Sequence, residues 1–326
     1  MKRNLLTTFA AIGGIWFSAQ ATADPTYKLG LIKQFNYRYF STEIQAINDS
    51  GQMVGDYYYN SVNGTTYRGM LMTGFDRNDT SKLITFKQVS LSLNGSQILG
   101  ISSNGLIAGY GEFPNLLSPG TLQSRGLYGQ IGSPYKSVPF SHDTFSYASG
   151  INAKGFVTSV VGNGPVNSYI IAPNGIKTLV AVPGYSPNYT LAASINDTGD
   201  VAGYFYPDPK NTTFTKGFIR HADGTFTIVA PTVPGNRVFY TRINGINKQG
   251  DVVGEVGIPY LSSTIPLPFL RTADGQVQFF HYLITLNGLD SADDLVGSIQ
   301  TSLGGGSDAV ILIPDPVTTT PKGTPR

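Results

Sequence analysis

The chain has 326 residues, of which 13% are charged, and its formal net charge at pH 7 is +2. Since it lacks the basic runs that bind phosphates, we expect no nucleic-acid partner, and nothing favours binding to an anionic membrane. The lack of cysteine excludes disulfides, cysteine-ligated zinc and a thiol nucleophile.

Residues 1 to 23 have the form of a cleavable signal peptide. Lys2 and Arg3 precede an apolar run that ends at Phe17, and Ala21-Thr22-Ala23 matches the small-x-small cleavage site. The run is shorter than the roughly 20 residues of a membrane-spanning helix, and no later segment is long and apolar enough to span. The sequence therefore predicts cleavage after Ala23, a secreted or periplasmic protein, and no membrane span.

The next predicted element is a strand from Leu29 to Phe35. It has no neighbouring strand of its own, but it resembles a strand that recurs later, such as Phe86 to Val89. The partner of this strand decides how the chain closes.

A short pattern of turn and strand residues then recurs six times. Its copies begin at Ile47, Ile101, Ile151, Ile195, Ile246 and Leu289. In Ile195 to Gly203, Asn196 suits the start of a type I turn, Gly199 suits a left-handed position, and Val201-Ala202 begins a returning strand. The second glycine indicates a bulge or a close approach of neighbouring backbone. Two copies differ, with Ser159 replacing the second glycine and Asp293 the first.

Each recurring unit reads as four strands. In the fourth unit these strands are Leu191 to Ile195, Val201 to Phe205, Gly217 to Arg220 and Phe226 to Val229. The spacing of the units, roughly 43 to 54 residues, is the size of a four-stranded propeller blade. We therefore predict an all-β fold, a six-bladed β-propeller over residues 24 to 317.

The last unit lacks a fourth strand, because Pro314-Asp315-Pro316 follows the strand from Ala309 to Ile313. If the strand that begins at Leu29 completes this blade, the ring closes and leaves no open edge. Residues 318 to 326 are rich in proline and threonine, and we predict a disordered tail.

The repeat resembles the extracellular repeats named HAF after a His-Ala-Phe tripeptide, found in exported bacterial proteins. The resemblance rests on the Ile-Asn-x-x-Gly-x-Val-Val/Ala-Gly-Tyr unit followed by Gly-Phe-(Ile/Leu) and Asp-Gly, and it covers nearly all of the chain after residue 23. At the position of the tripeptide this chain has, for example, Lys216-Gly217-Phe218. The resemblance implies a propeller-like fold and no established activity, cofactor or catalytic residue.

Residues that could carry chemistry are sparse. The three histidines, His142, His221 and His281, lie in different repeat units and form no close-spaced metal-ligand motif. Carboxylates are richest between Leu289 and Asp294, the best calcium candidate, but the closing glutamate of a calcium loop is missing. We predict no metal and no cofactor.

The predicted loops between the second and third strands are rich in tyrosine, and blade geometry places them on one face together with the loops that lead to the next blade. They cover Tyr57 to Asn60, Tyr110 to Pro114, Tyr204 to Asp208 and Glu255 to Tyr260. Aromatic rings near amides and carboxylates are suited to sugars or partner proteins. In the alternative reading, these tyrosines pack against neighbouring loops. The candidate ligand-binding residues are Tyr57, Tyr59, Tyr110, Glu112, His142, Tyr204, Tyr206, Arg237, Glu255 and Tyr260.

Three functions fit these features. The first, which we prefer, is an exported binding or interaction module, expected as a monomer, whose aromatic loop face recognises a glycan or a protein. The second is a propeller hydrolase or lyase acting on an extracellular polysaccharide through scattered acids such as Glu112, Glu255 and Asp208. The third is a structural envelope protein. Whether the chain is an enzyme is left open, with the balance against it.

Overall fold

A computed structural model describes residues 27–31, 41–61, 64–77, 85–92, 94–140, 144–211, 213–261, 263–280, 284–300 and 307–314. The predicted signal peptide, the predicted tail, His142 and His281 lie outside these residues, as does the side chain of Tyr59. Within the described part of the chain, no helix has the length and hydrophobicity that crossing a membrane requires.

The described residues form 24 strands, which pair in antiparallel groups of four. The first sheet contains β2 (Ser41–Ile47), β3 (Met53–Ser61), β4 (Gly64–Thr73) and β5 (Thr85–Val89). The second contains β6 (Ser96–Ile101), β7 (Leu106–Pro114), β8 (Leu122–Gln130) and β9 (Lys136–Ser137). The third contains β10 (Ser146–Ile151), β11 (Val157–Val161), β12 (Asn167–Ile171) and β13 (Lys177–Val180).

The remaining strands repeat the same order. The fourth sheet contains β14 (Thr190–Ile195), β15 (Val201–Phe205), β16 (Lys216–Arg220) and β17 (Phe226–Val229). The fifth contains β18 (Tyr240–Ile246), β19 (Val252–Tyr260), β20 (Ser263–Arg271) and β21 (Val277–Phe279). The sixth contains β22 (Ile284–Leu289), β23 (Leu295–Gln300), β24 (Ser307–Pro314) and β1 (Tyr27–Leu31). The chain is therefore all-β and built from four-stranded antiparallel sheets, as the repeat predicted.

The first glycine of each repeat lies in the left-handed region. Its φ is +69° at Gly51, +103° at Gly199 and +91° at Gly250. In the sixth repeat the replacing residue, Asp293, adopts φ of +59°, a conformation that aspartate tolerates better than most residues. The turn predicted from the sequence is thus confirmed, including the copy that lacks the glycine.

The second glycine lies opposite a bulge in the first strand of its sheet. In the fourth sheet the register shifts between Ala192 and Ser194, so that Ala193 has no partner across the ladder. A Cβ on Gly203 would come within 2.0 Å of the carbonyl oxygen of Leu191. Corresponding bulges occur in the first strands of all six sheets. The prediction of a bulge with close backbone approach is confirmed.

Neighbouring sheets pack face to face in cyclic order, each on the next and the sixth on the first. Each buried apolar cluster joins two neighbouring sheets. One combines Ile219 of the fourth sheet with Ile243 and Phe269 of the fifth, and another combines Ile44 of the first sheet with Val296 of the sixth. Because both faces of a sheet meet a neighbour, even a short strand such as β11 is buried along its whole length. The arrangement is propeller-like.

The strand that begins the described chain pairs with the strand that ends it. β1 runs antiparallel to β24, with Leu29 opposite Leu312. A single parallel pair, Ser41 with Ser307, links β2 of the first sheet to β24, and the two serine hydroxyls contact one another. The N-terminal strand therefore occupies the fourth position of the sixth sheet.

Three predicted loops are wrong, because the strands continue through them. β3, β7 and β19 extend through Tyr57 to Asn60, Tyr110 to Pro114 and Glu255 to Tyr260, and each pairs along its length with the next strand. Tyrosine, isoleucine and phenylalanine in these segments favour extended backbone. The glycines and prolines that suggested loops are accommodated within two-stranded arms, where only one neighbour must be paired.

Replacing Gly250 by valine should lower the free energy of unfolding by about 1 to 3 kcal/mol, because the substitution places a β-branched residue at a left-handed φ. Thermal or urea unfolding would measure the loss. The matched control is Gly164→Val, since a Cβ at Gly164 meets nothing within 4 Å and its φ lies outside the left-handed region. If the two variants unfold alike, the turn does not require its glycine.

Candidate functional site

The bulged residues of the six first strands surround a cavity on the axis of the assembly. The cavity has a volume of about 210 Å³, which equals the space of about seven water molecules. Ten residues line it: Gln45, Leu99, Tyr147, Ser149, Leu191, Ala192, Ala193, Tyr204, Asn244 and Asn287. It lies toward the face where second strands lead into third strands, which we call the loop face.

The two sides of the cavity differ in chemistry. Leu99, Tyr147, Leu191 and Tyr204, from the second, third and fourth sheets, form an apolar and aromatic wall. Gln45, Asn244 and Asn287, from the first, fifth and sixth sheets, form a wall of side-chain amides. A ligand in the cavity would therefore meet rings and aliphatic groups on one side and hydrogen-bonding groups on the other.

The amide wall is held in place by hydrogen bonds between sheets. Asn244 donates through Nδ2 to the carbonyl of Leu286 at 2.8 Å, and Asn287 donates to the carbonyl of Ile44 at 3.0 Å. Each amide thus spans from its own bulge to the backbone just before the next bulge. This fixes the side chains before any ligand arrives, and fixed polar groups lose less entropy on binding.

The opposite end of the axis is lined by the repeat turns. Asn196 donates through Nδ2 to the carbonyl of Asn247 at 2.9 Å, and Asn247 donates to that of Asp290 at 3.1 Å. The carboxylate of Asp197 accepts from the backbone N–H of Ala153 at 2.7 Å and from the hydroxyl of Ser103. Ser103 and Asp197 belong to the turns of the second and fourth repeats. Their hydrogen bond therefore passes over the turn of the third repeat at this end of the axis.

A buried carboxylate, Asp56, and a partly buried one, Glu43, lie beside the amide wall. Glu43 and Asp56 face one another across β2 and β3, and Gln45 Nε2 lies 3.4 Å from Glu43 Oε2 and 3.3 Å from Asp56 Oδ1. Gln97 Nε2 donates to Asp56 Oδ2 at 3.1 Å. Burial, with a smaller contribution from the charge of Glu43, raises the pKa of Asp56 to about 7. Burial also raises the pKa of Glu43.

The corresponding positions of the fifth sheet carry an ion pair. Arg242 Nη1 lies 3.6 Å from Glu255 Oε1 across β18 and β19. The guanidinium carbon lies 5.5 Å from the centre of the Tyr204 ring and 4.9 Å from that of Tyr240, distances typical of cation–π contacts. Arg242 therefore supports the ring of Tyr204 where that ring forms the cavity wall.

Of the sequence-predicted site residues, Tyr204 lines the cavity and three others lie around it. Glu255 holds Arg242 against Tyr204, and the Tyr206 ring centre is 6.2 Å from that of Tyr204. Tyr110 donates its hydroxyl to Gln97 Oε1 at 2.7 Å, and its ring centre is 6.5 Å from that of Tyr147. Burial raises the pKa of the Tyr110 hydroxyl. These contacts join the four residues to the network around the cavity.

The structure places the other described candidates elsewhere. Tyr57 is buried in the core between the first and sixth sheets, with its hydroxyl bonded to Gln88 at 2.9 Å, so the prediction that it faces a ligand is wrong. Tyr260 lies at the end of β19 and Glu112 near the end of β7, whereas Arg237 is exposed against the ring of Phe239 at 5.2 Å. None of these four residues lines the cavity.

Most of the residues that line the cavity were not predicted from the sequence. Strict alternation of side chains along a strand assigns each residue to one face of the sheet, whereas a bulge turns one residue toward the axis. The signal lies in an alignment of the six repeats with one another. The position two residues before the leading Ile or Leu varies freely, as Gln45, Leu99, Ser149, Ala193, Asn244 and Asn287, while the residue before it is always aliphatic. Polar residues in such a place indicate a bulged position outside the packed core.

The carboxylates of the sixth repeat serve its turn. Asp290 Oδ1 accepts from the N–H groups of Ala292 and Asp294 at 2.8 and 3.0 Å, and Asp294 Oδ2 lies 2.8 Å from Nε of Arg77. His221 contacts Thr227 through Nε2 at 2.9 Å. In the described ranges, no three His, Cys, Asp or Glu side chains are grouped closely enough to hold a metal ion.

The stability of the protein should fall as pH rises from about 4 to about 7. In this window the folded state retains the proton of Asp56, while the unfolded chain, with an aspartate pKa near 3.8, has released it. The unfolded state therefore binds fewer protons, and the free energy of unfolding decreases with pH until it levels off above pH 7. Unfolding midpoints measured across this range should be less pH-dependent for Asp56→Asn than for the parent.

The exposed Asp208 supplies the control, because Asp208→Asn removes the same charge without changing a buried group. A pH slope equal in the Asp56→Asn and parent proteins would contradict the raised pKa. Asp294, whose pKa burial and Asp290 raise to about 7, should leave part of the slope in every variant.

Comparisons with known proteins give only remote similarity. No protein-family model matches the chain, and none of the curated proteins compared with it matches in sequence. Among solved structures, virginiamycin B lyase from Staphylococcus aureus has a TM-score of 0.45 and 12% identity, covering 88% of this chain and 99% of the lyase. AofleA from Arthrobotrys oligospora gives 0.45 and 11%, covering 88% of this chain and 93% of that one.

The acylaminoacyl peptidase of Pyrococcus horikoshii has a TM-score of 0.44 and 10% identity, covering 82% of this chain and 50% of the peptidase. At these levels no property of the three proteins transfers to this chain. The conclusion on fold therefore rests on its own strands and contacts, which make it an all-β, propeller-like protein.

Proposed function

We propose that this chain is an exported, monomeric six-bladed β-propeller that binds a carbohydrate in its axial cavity. Six sheets that pack in cyclic order, and the pairing of β1 with β24, support the blade count and the closure. The signal-peptide features of residues 1 to 23 support export, and the repeat pattern supports membership of the HAF-repeat family.

Closure through the N-terminal strand can be tested by truncation. Deleting residues 24 to 36 should lower the melting temperature markedly and promote aggregation, because it uncovers the edge of β24 and part of the contact between the sixth and first sheets. Deleting residues 318 to 326 serves as the control and should change little. Equal melting of the two truncated proteins would contradict a ring closed by its first strand.

The observation that carries the binding proposal is the pairing of an aromatic wall with an amide wall across the cavity. A sugar ring has one or two apolar C–H faces and a rim of hydroxyls, so it can stack on Tyr147 and Tyr204 while its hydroxyls meet Gln45, Asn244 and Asn287. The volume of about 210 Å³ suits a single sugar ring, the end of a chain or one residue of it. The network around Arg242 keeps the aromatic wall in place without a ligand.

Substituting Tyr204 by alanine should weaken carbohydrate binding by ten-fold or more, because it removes part of the stacking wall. A glycan array followed by calorimetry on the best sugar would measure the loss. The control is Tyr260→Ala, which removes a tyrosine from the loop face at a position that does not line the cavity.

Failure of the parent to bind any glycan on a broad array would contradict the carbohydrate proposal. Equal loss of affinity in the two variants would place the site away from the cavity. Capture of a specific protein, lost on Tyr204→Ala, would instead identify a protein ligand at the same site.

A second candidate, cleavage of an extracellular polysaccharide, draws support from Glu43 and Asp56. A buried carboxyl whose pKa lies near 7 is suited to general acid catalysis. The acids first considered are less suitable, because Glu255 pairs with Arg242 and Asp208 lies in an exposed turn, where it accepts from the N–H of Lys210 at 2.9 Å. Release of reducing or unsaturated sugar ends, lost on Asp56→Asn, would establish this activity.

A further inference from the structure

Among the described residues three hairpin arms extend from the loop face, formed by β3–β4, β7–β8 and β19–β20, and the last two carry exposed leucines at their tips. β7 and β19 each contain nine residues, whereas β11 and β15 contain five. Four additional residues at about 3.3 Å each extend a strand by about 13 Å. Both arms are paired to their ends, with Pro114 opposite Leu122 and Tyr260 opposite Ser263.

The tips of both arms carry exposed leucines. Leu116 and Leu117 are 73% and 71% exposed at the tip of the β7–β8 arm, and Leu122, in the last pair before the tip, is 50% exposed. Leu261, at the tip of the β19–β20 arm, is 91% exposed and adopts a φ of +53°. A leucine in this region of backbone conformation is strained, so the fold holds an apolar side chain in water at a conformational cost.

The tips also lack charge. No Asp, Glu, Lys or Arg occurs in residues 113 to 124 or in residues 256 to 270. The β15–β16 connection, by contrast, contains Asp208 and Lys210. An anionic membrane attracts basic residues near its surface, and a saccharide surface is bound by aromatic rings and polar groups. Leucines between uncharged residues are suited instead to the apolar boundary of a zwitterionic bilayer.

The two leucine-bearing arms lie far apart, which favours a broad, flat partner. They belong to the second and fifth sheets, which are separated by two sheets in either direction around the proposed ring. A small protein or a peptide could cover one tip, whereas a surface that contacts both must span the whole loop face. We propose that the two arms dock the loop face on a zwitterionic lipid surface by inserting Leu116, Leu117 and Leu261 into its interfacial layer.

This inference rests on the proposed six-bladed ring, because only in that ring do the two arms lie on opposite sides. It does not depend on carbohydrate binding. With the cavity facing the membrane, a sugar that reaches it would be one carried close to the lipid surface. The Tyr204→Ala protein should therefore bind vesicles as the parent does, which separates a failure of docking from a failure of the cavity.

The test is co-flotation of the full chain with phosphatidylcholine vesicles. The parent should bind, with an affinity that is insensitive to salt. The double variant Leu116→Ser/Leu117→Ser, and separately Leu261→Ser, should each lower the partition coefficient by about ten-fold or more, since burying one leucine contributes at least that factor. The control Ile176→Ser, at a 64% exposed residue outside the arms, should not change it. All variants share the same N terminus, so any contribution of the leader cancels.

Fluorescence supplies a second readout that needs no loss of function. On binding to vesicles, the tryptophan fluorescence of Leu117→Trp and of Leu261→Trp should shift to shorter wavelength and be quenched by brominated phosphatidylcholine, whereas that of Ile176→Trp should not. All three variants share the one natural tryptophan, Trp16, so its signal is a common background. The proposal is overturned if the parent does not float with phosphatidylcholine, if the Leu→Ser variants bind as the parent does, or if the three tryptophans respond alike. Binding that requires anionic lipid, or binding to insoluble polysaccharide that the Leu→Ser variants lose, would overturn it too.

Discussion

The structure depends above all on one asparagine side chain in four of the six repeat turns; the second repeat has Ser102 at this position and the sixth has Asp290. Asn196 accepts the N–H groups of Gly199 and Asp200 on Oδ1, at 3.0 and 2.8 Å, and donates Nδ2 to the carbonyl of Asn247 in the next sheet. Asn48, Asn152 and Asn247 act in the same way. A single amide thus closes a turn and aligns two sheets, so the local conformation and the assembly are specified together. Asn is irreplaceable by Asp or Ser in this double role, because neither side chain carries both the amide donor and the carbonyl acceptor.

The bulge in each first strand follows from the same alignment and creates the space for a site. With the turns fixed, a glycine such as Gly203 lets the backbone of β14 approach β15 closely, and the extra residue, Ala193, turns toward the axis. Framework and site therefore occupy different positions of one repeat. The aliphatic residues beside the bulge must fill the core, whereas the bulged residue can change without disturbing it. This separation allows six similar units to surround a cavity whose walls are unlike each other.

The local chemistry of the repeat predicts most of the fold. Gly199 and Gly250 indicate left-handed turns, Gly203 indicates close backbone approach, and the lone strand at Leu29 fits the position left open by Pro314. The arms around Tyr260 could not be predicted, since proline and glycine in a two-stranded ribbon look like a loop. For the site, Tyr204 and Glu255 could be found as polar aromatics and acids, whereas Tyr57 has the same appearance and is buried. Neither burial nor the pairing of Glu43 with Asp56 can be read from one strand, because both depend on which residue of the neighbouring strand lies opposite.

The join between the sixth and first sheets differs chemically from the four joins that an asparagine amide makes. Asp290 stands where four of the other five repeats have asparagine, so it closes its own turn but has no amide to donate onward. This join is made instead by Asp49, which accepts from the N–H and hydroxyl of Ser291, and by Arg77, which pairs with Asp294 and donates to the carbonyl of Ala292. Hydrogen bonds between neutral amides are little affected by salt, whereas salt screens the ion pair of Arg77 with Asp294. The contact between the sixth and first sheets is therefore more sensitive to the ionic strength of the medium than the contacts that asparagine makes.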